Sequence, residues 1–324
     1  MYAQWGMDVI EADCFMGEYY PYNSPNNTVM EFRDEIAAMH DAIAKSSNPG
    51  MVLRVMPGNN ATKSEAAFVS DGRGKGDPMA KYYRITGDFW DSWEDYHFFP
   101  HDDPHAAPPT AGVRQAFRQG AKFASYTGTN GAFADLDGMP LGEIGCGTDP
   151  NASGAQGKLR QSRLTRAEQR TTVALYAMLK APMIVESHMP ITDPVALALL
   201  TNPALLKFHD RSGPSGQERM VHGCPFYNCS VVVWSALPPA DRSSNSSYLA
   251  VFNTWPGPAV ASFDLADAGL SASATYAARD VWKPADGVVS TVSGRYEGAL
   301  DTHDVVLLEL TPRGAAGSSS VKAG

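Results

Sequence analysis

The feature of this sequence that most constrains its fold is a change in hydrophobic pattern near Asp210. Before that point, short apolar runs alternate with segments whose apolar residues recur at helical spacing, which is typical of βα units around a parallel sheet. From Met220 onward, only short β-type runs occur between Ser, Pro and Gly turns. We therefore predict an α/β domain over residues 1–212, an antiparallel β-sandwich over 213–313 and a disordered tail over 314–324.

Local patterns place individual elements within these two regions. The capping box of Thr165 and Glu168 predicts a helix that runs to about Lys180, and the aromatic, proline-rich stretch 89–109 favours a long loop over a site. The first region's predicted strands are Met7–Asp13, Met51–Met56, Tyr82–Thr86, Phe123–Tyr126 and Ala181–Val185, and its other predicted helices are Asn27–Lys45, Gly112–Gln119, Pro194–Leu200 and one that starts at Pro203. The predicted sandwich strands are Ser230–Trp234, Tyr248–Phe252, Thr275–Val281 and Val305–Leu310.

Charge and composition exclude two classes of partner. The chain has 26 basic and 35 acidic residues, and no Lys/Arg-rich run interrupts this acidic balance, so nucleic acid is not an expected partner. The best apolar stretch, Val173–Val185, contains Lys180 and Pro182, so we expect no membrane span. Five Asn-x-Ser/Thr sequons favour a glycoprotein of the secretory pathway, whether extracellular, lysosomal or vacuolar. They lie at Asn26, Asn60, Asn151, Asn228 and Asn245.

The sequence leaves open whether the protein forms a homodimer.

The four cysteines lie in no zinc-binding pattern. Cys224 and Cys229 are close enough in sequence to close a short disulfide loop in an oxidising compartment, and the reduced pair is the open alternative. Cys14 and Cys146 are expected to be buried thiols or partners of cysteines outside this chain.

Aspartates recur at the ends of predicted strands, at Asp13, Asp88, Asp135 and Asp137. In a βα barrel these strand ends face one side, where active sites are built. Retaining cleavage of a glycoside requires such a pair, with one carboxylate as nucleophile and the other as acid and then base. The alternative is that each aspartate only caps the helix that follows its strand.

Aromatic and histidine side chains near these aspartates suggest two further interpretations. The rings of Trp5, Phe89, Trp90, Trp93 and Phe133 could stack on a sugar, although Trp90 and Trp93 could equally pack the loop. His97, His101 and His105 have a spacing that suggests a metal, but the intervening Pro100 and Pro104 disfavour a regular ligand-bearing helix, and we do not expect one.

Several segments resemble glycoside hydrolase family 27, the α-galactosidase or melibiase family, in order along the chain. Tyr2–Cys14 resembles its "YA-x-WG-x-DYLKYD-x-C" strand, Tyr83–Trp93 its "WRTTGDI-x-D-x-W" segment and Phe133–Gly142 its "W-x-DLDMLPLG" segment. The pattern "LT-x-x-E…AP-L…LTN" is matched from Leu164 to Asn202. Asp280–Trp282 and His303–Leu308 resemble signatures of the family's C-terminal sandwich.

This resemblance implies the C-terminal part of a (β/α)8 TIM barrel, about strands 4 to 8, followed by the sandwich. It makes Asp13 the nucleophile, Asp88 the acid/base and Arg84 a sugar-contacting residue, with a terminal α-galactoside or related sugar as the bound carbohydrate. Asp135 and Asp137 are expected to orient the pocket floor. No cofactor is implied, because two carboxylates and water complete the reaction. The implied substrate-binding residues are Glu11, Met56, Arg84, Trp90, Phe133, Asp137 and Gly138.

Three of these positions depart from the family pattern. Glu11 replaces a lysine, Met56 replaces a small Ser or Cys, and Gly138 replaces a methionine that closes one wall. We also expect the chain to be a fragment with little activity, since the resemblance begins at about the fourth barrel strand and an incomplete barrel exposes sheet edges. Two hypotheses therefore remain: a retaining exo-α-glycosidase, or a non-catalytic sugar-binding relative.

Overall fold

The computed structural model describes residues 1–13, 32–57, 61–72, 74, 76–95, 111–147, 157–223, 227, 230–241, 243–284 and 289–313. Some predictions therefore lie outside the described residues. They concern the start of the first predicted helix, most of the 89–109 loop with its three histidines, the tail 314–324, and Cys14, Cys224 and Cys229.

A parallel sheet forms the first part of the chain, with neighbouring strands in the order β1-β2-β3-β4. Its inner face carries alternate residues of each strand, so Glu11, Arg54, Arg84 and Asp135 share one side. The strands are β1 (Val9–Ala12), β2 (Val52–Val55), β3 (Tyr82–Arg84) and β4 (Phe133–Asp135). A separate antiparallel pair is formed by β5 (Glu143–Ile144) and β6 (Arg160–Gln161).

Helices follow or cover these strands. The predicted capping box is present, because Thr165 accepts from the Glu168 backbone while the Glu168 carboxylate accepts from the Thr165 N–H at 2.7 Å. The helices are α1 (Arg33–Ala44), α2 (Lys63–Asp71), α3 (Val113–Phe123), α4 (Arg166–Leu179), α5 (Pro194–Leu200) and α6 (Pro203–Asp210). None of the helices in the described part combines the length and the apolar character needed to cross a membrane.

Two predicted strands of this region differ from the structure. Phe123 ends α3 instead of starting a strand, and Phe123–Tyr126 leads into a turn, because the Phe123 ring packs edge-on against Tyr83 from the helix side. The strand occurs later, at Phe133–Asp135. Ala181–Val185 is not a regular strand. It forms one isolated parallel bridge, between Val185 and Met139.

The second part of the chain is an antiparallel sheet in the order β10-β13-β12-β11-β14-β9-β8-β7. All four predicted strands of this region are present, although the structure extends most of them by a residue or two. Its strands are β7 (Gln217–His222), β8 (Val231–Ala236), β9 (Ser247–Asn253), β10 (Ala259–Asp264), β11 (Thr275–Asp280), β12 (Ser290–Ser293), β13 (Arg295–Leu300) and β14 (Val305–Pro312).

Strand β8 is buried on both faces. Val232 and Trp234 belong to the large core that includes the helices, whereas Val231 and Val233 belong to a second core between the layers of the sandwich. The side chains alternate because successive residues of a strand point to opposite faces. The sandwich therefore packs one apolar face directly against the α/β region.

The turn before β14 adds polar contacts between the two regions. Asp304 accepts two hydrogen bonds from Arg170 of α4, at 3.0 and 2.6 Å. His303 Nδ1 lies 2.7 Å from the Glu168 carboxylate, and its ring stacks on Trp93 with centroids 3.7 Å apart. Glu168, which completes the capping box of α4, is thus also held by the sandwich.

Candidate active site

The predicted carboxylates lie at the carboxyl ends of neighbouring parallel strands. Asp13 follows β1 directly, Asp88 lies four residues beyond β3, and Asp135 and Asp137 end and follow β4. The side chains of Asp13 and Asp88 are exposed, whereas Asp135 is fully buried. Because all four strands run in the same direction, these residues share one edge of the sheet.

Arg54 lies at the centre of a charged network that the sequence analysis did not identify. Its Nε donates to Asp135 at 2.5 Å, its Nη2 to Asp137 at 3.3 Å, and its Nη1 to Glu11. Burial opposes the guanidinium charge, but these carboxylates outweigh it and raise the pKa of Arg54. An arginine inside the apolar run Met51–Met56 was the available signal, since a buried charge requires a partner.

Arg84 connects a buried carboxylate to an exposed one. Its Nη2 donates at 2.7 Å both to Asp137 and to Asp88. Burial would lower the pKa of Arg84, but Asp137 and Asp88 raise it, so the guanidinium stays charged. A continuous series of ion pairs therefore runs from Glu11 on β1 through Arg54, Asp137 and Arg84 to Asp88.

Asp137 is held in an unusual backbone conformation. Its φ is 80°, in the left-handed region that non-glycine residues rarely adopt. Its N–H donates to Asp135 at 2.7 Å, and its carboxylate accepts from the Phe89 N–H at 3.0 Å. Burial raises the pKa of Asp137 despite the nearby Arg84. Such strain persists only where surrounding contacts fix it, and it is common at functional sites.

Two of the departures from the family pattern have clear structural surroundings. Glu11 pairs with Arg54, so its charge is offset rather than directed at Asp13 alone. Met56 is buried, and its N–H donates to the Ala12 carbonyl at 3.1 Å, which places Met56 beside the residue that precedes Asp13.

Gly138, the third departure, lies against a carboxyl group that the sequence analysis missed. A Cβ at position 138 would lie 2.2 Å from Cγ of Glu186. Burial, followed by the charge of Asp137, raises the pKa of Glu186 to about 7. Glu186 directly follows the predicted strand Ala181–Val185, so the strand-end pattern that identified Asp13 applies to it as well.

A cleft of about 680 Å³ opens beside these residues. Trp90, Leu159, Glu186 and His188 are among the residues that line it. The indole nitrogen of Trp90 is buried and has no hydrogen-bond partner in the described part of the chain. Within that part, no group of three or more His, Cys, Asp or Glu side chains is arranged to hold a metal ion.

Other predicted aromatic contacts are not brought to this cleft. Phe89 is fully buried and packs edge-on against Tyr176, so the prediction that its face meets a sugar is wrong. Trp93 is buried against His303, which agrees with the packing alternative for this residue. Phe133 begins β4 beside Tyr82, at the opposite end of the strand from Asp135, and exposed Trp5 precedes β1.

The single cysteine in the described residues corrects another expectation. Cys146 is exposed, so the buried-thiol alternative is wrong at this position, while pairing with a cysteine outside this chain stays a prediction. Cys146 and its neighbours Ile144 and Gly145 line the cleft, so the thiol lies at an exposed surface.

Comparisons with known proteins agree with this architecture. A family model described as the alpha galactosidase C-terminal β-sandwich domain matches residues 229–310. A β-L-arabinopyranosidase of family GH27 from Geobacillus stearothermophilus matches all of this chain and 60% of its own, with a TM-score of 0.73 and 26% identity. The chain is therefore similar in sequence and fold to glycoside hydrolases of family 27. Its parallel strands are part of that family's (β/α)8 barrel, and its antiparallel strands form the family's C-terminal sandwich.

Curated relatives match a smaller part of this chain. An α-galactosidase from Coffea arabica is 26% identical over 151 residues, which are 46% of this chain and 37% of the coffee protein. Alpha-galactosidase 3 from Arabidopsis thaliana is 28% identical over 153 residues, 46% of this chain and 33% of that protein. The matched segment thus spans about a third of the curated relatives.

Proposed function

We propose that this chain carries the catalytic carboxylates of a retaining exo-α-glycosidase that hydrolyses terminal α-galactosides or a closely related sugar. Asp13 is the nucleophile and Asp88 is the acid/base. The observation that supports this most is the shared edge of the sheet: Asp13 and Asp88 follow parallel strands separated by one strand, and ion pairs connect those strands through Arg54, Asp137 and Arg84.

The reaction follows from the two roles. The Asp13 carboxylate forms a bond to the anomeric carbon while Asp88 donates a proton to the departing glycosidic oxygen. Water then attacks the same carbon, Asp88 takes the water's proton, and the bond to Asp13 breaks. Two inversions return the original configuration, and exposure of both side chains leaves them accessible to a sugar.

The expected substrate follows from the relatives. The coffee and Arabidopsis proteins are α-galactosidases, and the Geobacillus enzyme is a β-L-arabinopyranosidase. β-L-Arabinopyranose has the ring configuration of α-galactose without the hydroxymethyl group, so both names support a sugar with the galactose configuration. We propose α-galactosides first and β-L-arabinopyranosides second.

A non-catalytic sugar-binding protein is the competing proposal. It is supported by Glu11, a hydrogen-bond acceptor engaged by Arg54 where the family pattern has a donor lysine, and by buried Met56 beside β1. Under this proposal the protein binds galactose but does not release it from a glycoside.

Turnover distinguishes the two proposals. The full coding sequence that contains this chain is assayed on aryl α-galactoside and aryl β-L-arabinopyranoside as wild type, Asp13→Asn and Asp88→Asn. We expect Asp88→Asn to lower kcat about 10²- to 10⁴-fold and Asp13→Asn to lower it at least as much. Asp264→Asn, at an exposed ion pair of the sandwich, is the matched control and should keep wild-type turnover. Equal turnover in all four proteins would refute the assigned roles.

The compartment and assembly are separate proposals. Asn245 lies in a sequon and is exposed, which supports glycosylation in the secretory pathway, while the other four sequon asparagines lie outside the described residues. Enzymatic removal of N-linked glycans should lower the mass of the protein, and the decrease should be smaller in Asn245→Gln than in the wild type. Homodimer formation is tested by the molar mass in solution.

A further inference from the structure

Gly138 and Glu186 fit together in a way that depends on the missing side chain at position 138. A Cβ there would lie 2.2 Å from Cγ, 2.4 Å from Cδ and 2.7 Å from Oε1 of Glu186. Real Cβ atoms do not approach other heavy atoms so closely. The Glu186 carboxyl therefore occupies the space that any larger residue at position 138 would fill.

The backbone of Glu186 is fixed on this side. Its N–H donates to the Met139 carbonyl at 3.0 Å, and the Met139 N–H donates to Ile184 at 2.7 Å. Val185 and Met139 form a parallel bridge between these bonds. Glu186 thus lies at the end of a fifth extended segment at this edge of the sheet, next to Met139, which follows β4.

The carboxyl group of Glu186 is not used by the ion-pair series. The two guanidinium groups of Arg54 and Arg84 contact Glu11, Asp88, Asp135 and Asp137. Glu186 has neither an ion pair nor a side-chain hydrogen bond to any residue that the structure describes. It lines the 680 Å³ cleft together with Trp90, and a carboxyl beside an indole ring offers a sugar both a hydrogen-bond partner and an apolar surface.

We propose that Glu186 contacts the sugar directly and is a specificity-determining residue. Its carboxyl has room in the site because residue 138 is glycine. This inference rests on the proposed sugar site. One hydroxyl of the bound sugar is paired with the Glu186 carboxyl, and a ligand that lacks this hydroxyl leaves a half-buried carboxyl without a partner, which costs affinity.

Binding of deoxy sugars tests the contact without any requirement for turnover. Calorimetry compares galactose with its 2-, 3-, 4- and 6-deoxy derivatives on the wild type, Glu186→Leu, Glu186→Gln and Gly138→Ala. We expect one deoxy sugar to bind the wild type at least about 10-fold more weakly than galactose, as for loss of a hydrogen bond to a charged group. Glu186→Leu should bind galactose and that derivative equally, while Glu186→Gln should retain part of the preference.

Gly138→Ala tests the same contact without changing Glu186. Its added Cβ should displace the carboxyl and reproduce the loss of preference seen in Glu186→Leu. Suppose that each deoxy sugar binds more weakly than galactose by the same factor in the wild type and in Glu186→Leu. Glu186 then makes no such contact and the inference is wrong, although the sugar site remains. If the wild type binds no sugar, the proposed function fails together with it.

Discussion

The carboxyl edge of the parallel sheet and the antiparallel sandwich are stabilised in different ways. The parallel strands have three or four residues and carry buried Arg54, Arg84 and Asp135. Strands β8 and β9 have six and seven residues and are buried along their whole length, with mainly apolar side chains. The first region depends on each charge keeping its partner, whereas the second depends on apolar burial. The edge that carries the proposed catalytic carboxylates is therefore the more sensitive to a single polar change.

Removal of the central arginine should have the largest effect on stability. Arg54→Met leaves the fully buried Asp135 without its guanidinium, and breaking a buried pair from one side costs about 3–5 kcal/mol. Urea unfolding followed by circular dichroism measures the loss. A loss below about 1 kcal/mol would show that the network is solvated and that the contrast between the regions is wrong.

Glu186 should make stability depend on pH. Its folded pKa of about 7 lies above its ordinary value of 4.5, so between these values the folded state holds more protons than the unfolded state. The free energy of unfolding should fall as pH rises through this window and level off above it. Relative to Glu186→Gln, the wild type should lose on the order of 2 kcal/mol from pH 4.5 to pH 8. If the free energy of unfolding changed with pH by the same amount in both proteins, this prediction would be wrong.

The helix between the two regions should show an intermediate effect. Thr165→Ala removes the N-cap of α4 and should cost about 1 kcal/mol. Because Glu168 also contacts His303, the cap supports the contact with the sandwich. Thermal unfolding measures the change, and an unchanged midpoint would mean that Glu168 is held by His303 alone.

An exposed pair in the sandwich should show the smallest effect. Arg295 contacts Asp264, and both side chains are more than half exposed. Arg295→Met should change the free energy of unfolding by less than about 1 kcal/mol. It is the control for Arg54→Met, since the substitution is the same but the arginine is exposed instead of buried. A cost equal to that of Arg54→Met would remove the distinction between the regions.

The sequence predicted elements well where one pattern was unambiguous. The capping box placed α4, and continuous apolar runs placed β8 and β9, since those strands are buried on both faces. It did not place β10, because Ala259–Asp264 mixes small and polar residues with an exposed Val260. Phe123–Tyr126 is too short an apolar run to distinguish a strand from the end of a helix.

The candidate site was predicted only in part for a similar reason. Aspartates after apolar runs could be recognised one by one, but the partners of Arg54 lie 43 to 83 residues away and depend on the register of four strands. The burial of Phe89 and Trp93 depends on α4 and on the turn before β14. Glu186 follows a predicted strand, but its position against Gly138 depends on the pairing of Val185 with Met139, which the sequence pattern does not predict.

The most direct test of the account is to identify the residue that becomes bonded to the sugar. The full coding sequence that contains this chain is incubated with a fluorinated galactosyl fluoride, which slows release of the covalent intermediate, and its peptides are analysed by mass spectrometry. We predict a galactosyl adduct on Asp13 that is absent in Asp13→Asn. An adduct on Asp88, Glu186 or another carboxylate would contradict it.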